Sequence, residues 1–201
     1  MAKRYLIMSP TTGRLETMNV FAVDSDPCAA ARNLCDAHVR SKMIVESAQM
    51  LACAFRIDRL SRIDCPKTQK GLSRKHGYKN HPCTIWVRQT PSNFEWLVYH
   101  ALEMNQERYY RWASSKTHFS IEFIEWCADN IDSALFEQKE KGLTKFSIAI
   151  SEDKKCREID GFDDLDRVEQ YRLYYIHDKP FAEWTFRCKP SWYWQCRRHG
   201  V

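Results

Sequence analysis

Apolar residues recur along most of this chain at three- and four-residue intervals, the spacing of helices with one buried side. Weak alternation occurs at 19–24 (NVFAVD), where Val20, Phe21 and Val23 predict a short strand or an extended buried lead-in. Asp26-Pro27 then reads as a helix start, with aspartate as cap and proline in the first turn. Helical pattern continues to about Phe55, with a break expected near Asn33–Asp36. Residues 56–79 are polar and basic, contain Pro66 and two glycines, and read as a long loop. The clearest helix begins after Thr90-Pro91-Ser92. Ser92 and Glu95 fit a capping box for Asn93–Trp112. A third helix is predicted over His118–Glu137, and a last one from an Asp164 cap to about Tyr175. The expected fold is mainly α, a compact single-domain bundle with at most one short N-terminal strand. Its parts are an N-terminal extension (1–17), a helical core (18–186) and a basic aromatic tail (187–201).

Composition narrows the class. The chain has 201 residues and a formal net charge of +5. No run of 18 apolar residues occurs, so no membrane partner is expected. The start, MAKRYLIMSPTTGR, lacks the sustained apolar stretch of an ordinary secretory signal. Nine scattered cysteines, odd in number and without a CxxC pair, suit reduced thiols in a cytoplasm, that of a host cell if the protein is viral. No HExxH, close cysteine pair, phosphate loop or dinucleotide fingerprint is present, and neither metal nor cofactor is expected.

Charge is informative by segment. Residues 56–79 carry eight bases against two acids, a local excess of +6. Arg56, Arg59, Arg62 and Lys67, followed by Lys70, Arg74, Lys75 and Lys79, are candidate phosphate contacts, and Arg88 extends the set. Residues 152–169 hold eight acids against four bases, which would keep that side clear of a polyanion. The competing reading is a set of solvated loops. The tail FRCKPSWYWQCRR joins bases to stacking side chains, suited to unpaired bases or to packing a terminus on the core.

Three constellations are candidates for chemistry. In DAHVRSKMIVESAQML, His38, Lys42 and Glu46 fall four residues apart, and Gln49 extends their stripe between apolar neighbours. Lys42 and Glu46 form a simple helix salt bridge or a reactive wall. In the second case Glu46 or His38 moves a proton, and Lys42 binds phosphate or attacks carbon. In GYKNHPCTIWVR, proline fixes the Asn80-His81 turn, so His81 either bonds the backbone to hold that turn or is a positioned catalytic or phosphate contact, with Trp86 and Arg88 following. Along the long helix, Trp96, His100 and Glu107 share one side and are candidate pocket-lining residues, with a helix salt bridge to Arg108 or Arg111 as the competing reading of Glu107.

Several of these stretches look alike to known proteins. NVFAVDSDP through CDAHVRSKMIVESAQML, then NHPCTIWVRQTPSNFEWL and EQYRLYYIHDKPFAEW, together covering about 18–186, resemble a family of small bacteriophage proteins. GYKNHP is similar, more remotely, to the phage-type pyrimidine-dimer DNA glycosylase/AP-lyase family, and PSWYWQ loosely resembles that family's aromatic tail. The resemblance implies a compact helical protein acting on damaged duplex DNA through an amino-terminal α-amine and a glutamate, with base flipping. Here that start falls near Met18 or Asn19, where a peptide bond occupies the place of the amine, and HVRSKM stands where an arginine–glutamate pair is expected. Lys42 is the candidate substitute amine. The leading expectation is a DNA-binding protein acting on a base or abasic site. The alternatives are a non-catalytic factor binding DNA or a host protein, and a small-molecule nucleotide enzyme.

Overall fold

The structure, a computed structural model, describes residues 18–140 and 142–198. It is a helical bundle without a β-sheet among the described residues. The helices are α1 (Pro27–Asn33), α2 (Asp36–Val39), α3 (Lys42–Ala52), α4 (Ile57–Leu60) and α5 (Pro82–Gln89). They are followed by α6 (Pro91–Trp112), α7 (Ile121–Asp129), α8 (Arg167–Asp178) and α9 (Ser191–Arg198). Of the two expectations for 19–24, a short strand or an extended buried lead-in, the lead-in is the one formed. Residues 18–23 run as a buried, extended lead-in. The amides of Val20 and Phe21 are taken locally rather than by a neighbouring strand: Asn19 Oδ1 accepts from both, at 2.8 and 3.2 Å. Phe21 itself adopts a left-handed backbone, φ 45°, which a phenylalanine seldom does.

α6 is the central post, packed against α1, α3, α5 and α7. Its cap is Thr90, not Ser92. The Thr90 side chain accepts from Asn93 N–H, and Pro91 occupies the first turn, where its missing donor costs nothing. The small residues Ala30 and Ala31 are wholly buried on α1, the helix that lies against α6. The buried Asn93 side chain donates to the Trp86 carbonyl and to Thr144 Oγ1, tying α5 and the segment after Gly142 to this post.

Other boundaries differ from the sequence pattern. The first helical stretch is split twice, into α1, α2 and α3, with Leu34 extended and Ser41 outside helical geometry. The third helix is shorter than predicted, because His118 Nδ1 accepts from Ser120 N–H and holds a turn before α7 begins. Beyond Asp129 comes only a 3-10 turn, Ile131–Ser133. Asp166 rather than Asp164 caps α8, accepting from the N–H groups of Val168 and Glu169. The basic segment is not all loop, since it contains α4. The N-terminal extension proposed at 1–17 lies outside the described residues.

One polar cluster lies inside the bundle. Arg111 is fully enclosed and donates to Glu107 Oε2 (2.9 Å), Asp36 Oδ1 (3.0 Å) and the carbonyls of Leu34 and Arg32. Glu107 also receives Arg187, and Asp36 accepts from the amide and hydroxyl of Thr185. The chain around 183–187 is thereby fastened across α1, α2 and α6.

Candidate functional site

The lead-in 18–23, the α2–α3 stretch and α8 converge on a buried polar centre. Glu46, one turn into α3 from Lys42, is buried. Its Oε2 accepts from the backbone N–H of Asn19 at 3.2 Å, and its Oε1 lies 3.7 Å from the Lys42 ammonium. Lys42 keeps about a quarter of its side chain exposed, so the pair reaches from the interior toward solvent. The Asn19 side chain is held on both sides: Tyr171 donates to its Oδ1 at 2.6 Å, and its Nδ2 donates to the Ala149 carbonyl at 3.1 Å. Tyr171 and Asn19 are thus part of the wall that positions the Glu46 contact.

His38 sits at the end of α2, bonded through Nδ1 to the Tyr175 hydroxyl. Its ring stacks on Phe21 with centroids 4.1 Å apart and planes within 10°. On the same strained residue, Tyr174 forms a second, looser stack at 6.0 Å, and the buried Lys179 ammonium lies 5.9 Å from the ring. Residues 19–21 therefore join the two halves of the centre: Asn19 meets Glu46, and Phe21 meets His38. Cys83 lies alongside, its thiol pushed up to about 12 by burial, with the Glu46 charge adding to the effect.

His81 caps α5 by accepting from Cys83 N–H at 3.2 Å. Burial lowers its pKa, favouring the neutral ring that this acceptor role requires. Asn80 is exposed in the same turn, and Gln49 is half-buried further along α3. Trp86 and Trp96 pack edge to face at 5.9 Å, both against Phe146, and His100 stacks on Trp96 at 4.7 Å while donating to the Pro27 carbonyl. Glu107 belongs to the buried Arg111 cluster.

The basic segment is sorted by the structure. Arg59 and Arg62 both pair with Asp64, and that carboxyl is held down at about 2, chiefly by its hydrogen bond from Arg59. Arg59 also covers Trp126. Arg74 is a buried strut, 4.0 Å above the Phe123 ring and donating to the Pro66 carbonyl. Lys67 donates to the Arg62 carbonyl, while Lys70 and Lys75 are exposed. Arg56, Lys79 and Arg88 come together with His76 around an open cleft of about 510 Å³. In the tail, Tyr193 is buried and Trp192 packs edge to face on Tyr175, whereas Trp194 is half exposed beside Lys189.

Sequence reasoning pointed to Glu46, Lys42 and His38 but missed Asn19, Phe21, Tyr171, Tyr174, Tyr175 and Lys179. A signal was present in α8, where tyrosines 171, 174 and 175 share a helix side and buried hydroxyls need partners. No group of three or more His, Cys, Asp or Glu able to hold a metal occurs among the described residues.

Residues 18–117 match the family model described as pyrimidine dimer DNA glycosylase. Over that stretch the chain is a remote homologue of the pyrimidine dimer DNA glycosylases. The match begins one residue before Asn19, whose amide touches Glu46. No curated protein and no solved structure matches the chain. Within the glycosylase-like stretch lie Asn19, Phe21, His38, Lys42, Glu46 and His81, whereas the α8 residues that complete the centre lie beyond it. No helix among the described residues is long and apolar enough to cross a membrane.

Proposed function

We propose that this protein is a DNA-acting enzyme of the glycosylase/lyase type, working on a base or an abasic site. The observation that carries this reading is the buried Glu46 carboxylate, set between the Lys42 amine and the Asn19 amide inside the glycosylase-homologous stretch. Glu46 is the acid/base. It takes a proton from the Lys42 ammonium, whose nitrogen then bonds the aldehyde carbon of a ring-opened abasic sugar. The resulting hydroxyl leaves as water after receiving a proton from Glu46, and an imine remains. His38 and His81 are assigned positioning or proton-transfer roles in this step. The exposed Lys70 and Lys75 hold the phosphates on either side.

Borohydride trapping on duplex DNA with one abasic site tests the proposal. The parent protein is expected to give a covalent adduct that Lys42→Ala loses while keeping its melting temperature. Adduct retained by Lys42→Ala would move the nucleophile elsewhere. Saturable DNA binding with no adduct from the parent would replace the enzyme with a non-catalytic DNA-binding factor.

A further inference from the structure

The open cleft bounded by α4, α5 and the segment 135–137 has a chemistry of its own, separate from the Glu46 centre. Its wall is preformed: Leu135 N–H donates to the Ala54 carbonyl at 2.7 Å, and Glu137 N–H to the Arg88 carbonyl at 3.1 Å. Two aliphatic side chains line the cleft yet stay well exposed, Ile57 at 49% and Leu135 at 57%, and the buried Phe55 lies beneath. Arg56 and Asp58 form an exposed pair with each other. That leaves Lys79 and Arg88 as cations with no carboxylate partner among the described residues, and Glu137 as an acceptor with none of its own. Arg88 is aimed by its bonds to the Lys79 and Thr84 carbonyls. His76 donates from Nε2 to the Phe55 carbonyl, so its Nδ1 is an acceptor when the ring is neutral.

We infer that this cleft binds one phosphorylated nucleoside whose base carries an exocyclic amine. Lys79 and Arg88 take the phosphate, the aliphatic rim covers the base, and Glu137 accepts from the amine, as carboxylates do from cytosine. The volume, about 510 Å³, falls within the range of small-molecule pockets. The inference does not depend on the chemistry proposed at Glu46 and Lys42, neither of which lines the cleft.

Titration calorimetry with deoxycytidine monophosphate, thymidine monophosphate, inorganic phosphate and a single-stranded cytidine trinucleotide tests it. Deoxycytidine monophosphate is expected to bind saturably and about tenfold more tightly than thymidine monophosphate or phosphate alone. Lys79→Ala and Leu135→Asp, both at exposed positions, each weaken it about tenfold without changing the melting temperature. Glu137→Gln removes the preference between the two nucleotides. A tighter trinucleotide identifies the source as an unpaired strand, whereas equal or tighter monomer binding identifies a free nucleotide. Equal affinity for deoxycytidine monophosphate and phosphate, or binding that both cleft variants leave intact, overturns the inference. Lys42→Ala binds the nucleotide as the parent does, so loss of trapping and loss of cleft binding are told apart.

Discussion

Glu46 is legible twice over at the residue scale. Its four-residue spacing from Lys42 announces a pair, and the surrounding apolar positions announce burial. What spacing does not reveal is the third contact, from the Asn19 amide, 27 residues earlier. A carboxylate fixed between an amine and an amide keeps one orientation, which proton transfer requires. Glu46→Gln keeps the volume and the amide contact but removes the proposed base. It is expected to lower the borohydride trapping rate by about a hundredfold or more, with little loss of stability. Single-turnover trapping alongside a melting curve checks both halves. Asn19 and Tyr171 stand 152 residues apart, and His38 and Tyr175 stand 137 apart, so no local pattern announces either bond. Arg74 shows the opposite failure. It counts as a phosphate contact by charge, yet its guanidinium lies on Phe123. Charge totals cannot separate a base that faces water from one that braces a loop.

At the scale of elements, the helices of the bundle follow from apolar periodicity, while their ends follow from side-chain chemistry that periodicity does not encode. α6 shows why. Two hydroxyl residues flank Pro91, and the one before proline caps because proline suits the first helical turn. Thr90→Ala is expected to cost about 1 kcal/mol in denaturant unfolding. The break between α1 and α2 is held by Arg111, which collects the Arg32 and Leu34 carbonyls where α1 ends. Removing that guanidinium would leave the Glu107 and Asp36 carboxylates without it inside the fold. Arg111→Ala is therefore expected to destabilise by about 3–5 kcal/mol, read from the urea midpoint. The lead-in is extended without being a strand for a related reason: side chains, not a second strand, satisfy the amides of residues 19–21.

For the whole molecule, pH and salt report different layers. His100 and His118 are both pushed down to about 4, His100 by burial and His118 by burial with Arg108 adding to it. Their neutral forms fit the fold, so the unfolded chain binds more protons than the folded one below its ordinary histidine pKa of about 6.5. Stability is then complete above that pH and lost as pH falls from about 6.5 toward 4. Urea midpoints measured across that window should decline, and His100→Gln should flatten the slope if the variant folds. Salt reads the surface instead. Lys70→Ala and Lys75→Ala should each reduce the salt dependence of DNA binding by about one phosphate contact, whereas Arg74→Ala should lower the melting temperature.

The fastening of 183–187 across α1, α2 and α6 bears on how such a protein can be divided. Arg187 and Thr185 complete charges that belong to the glycosylase-like stretch, and α8 supplies the hydroxyls that hold Asn19 and His38. A gene fragment encoding only residues 18–117 would yield a chain with those groups stripped of their counterparts. The two halves are therefore expected to fold only together, with a substitution in either having to suit the other.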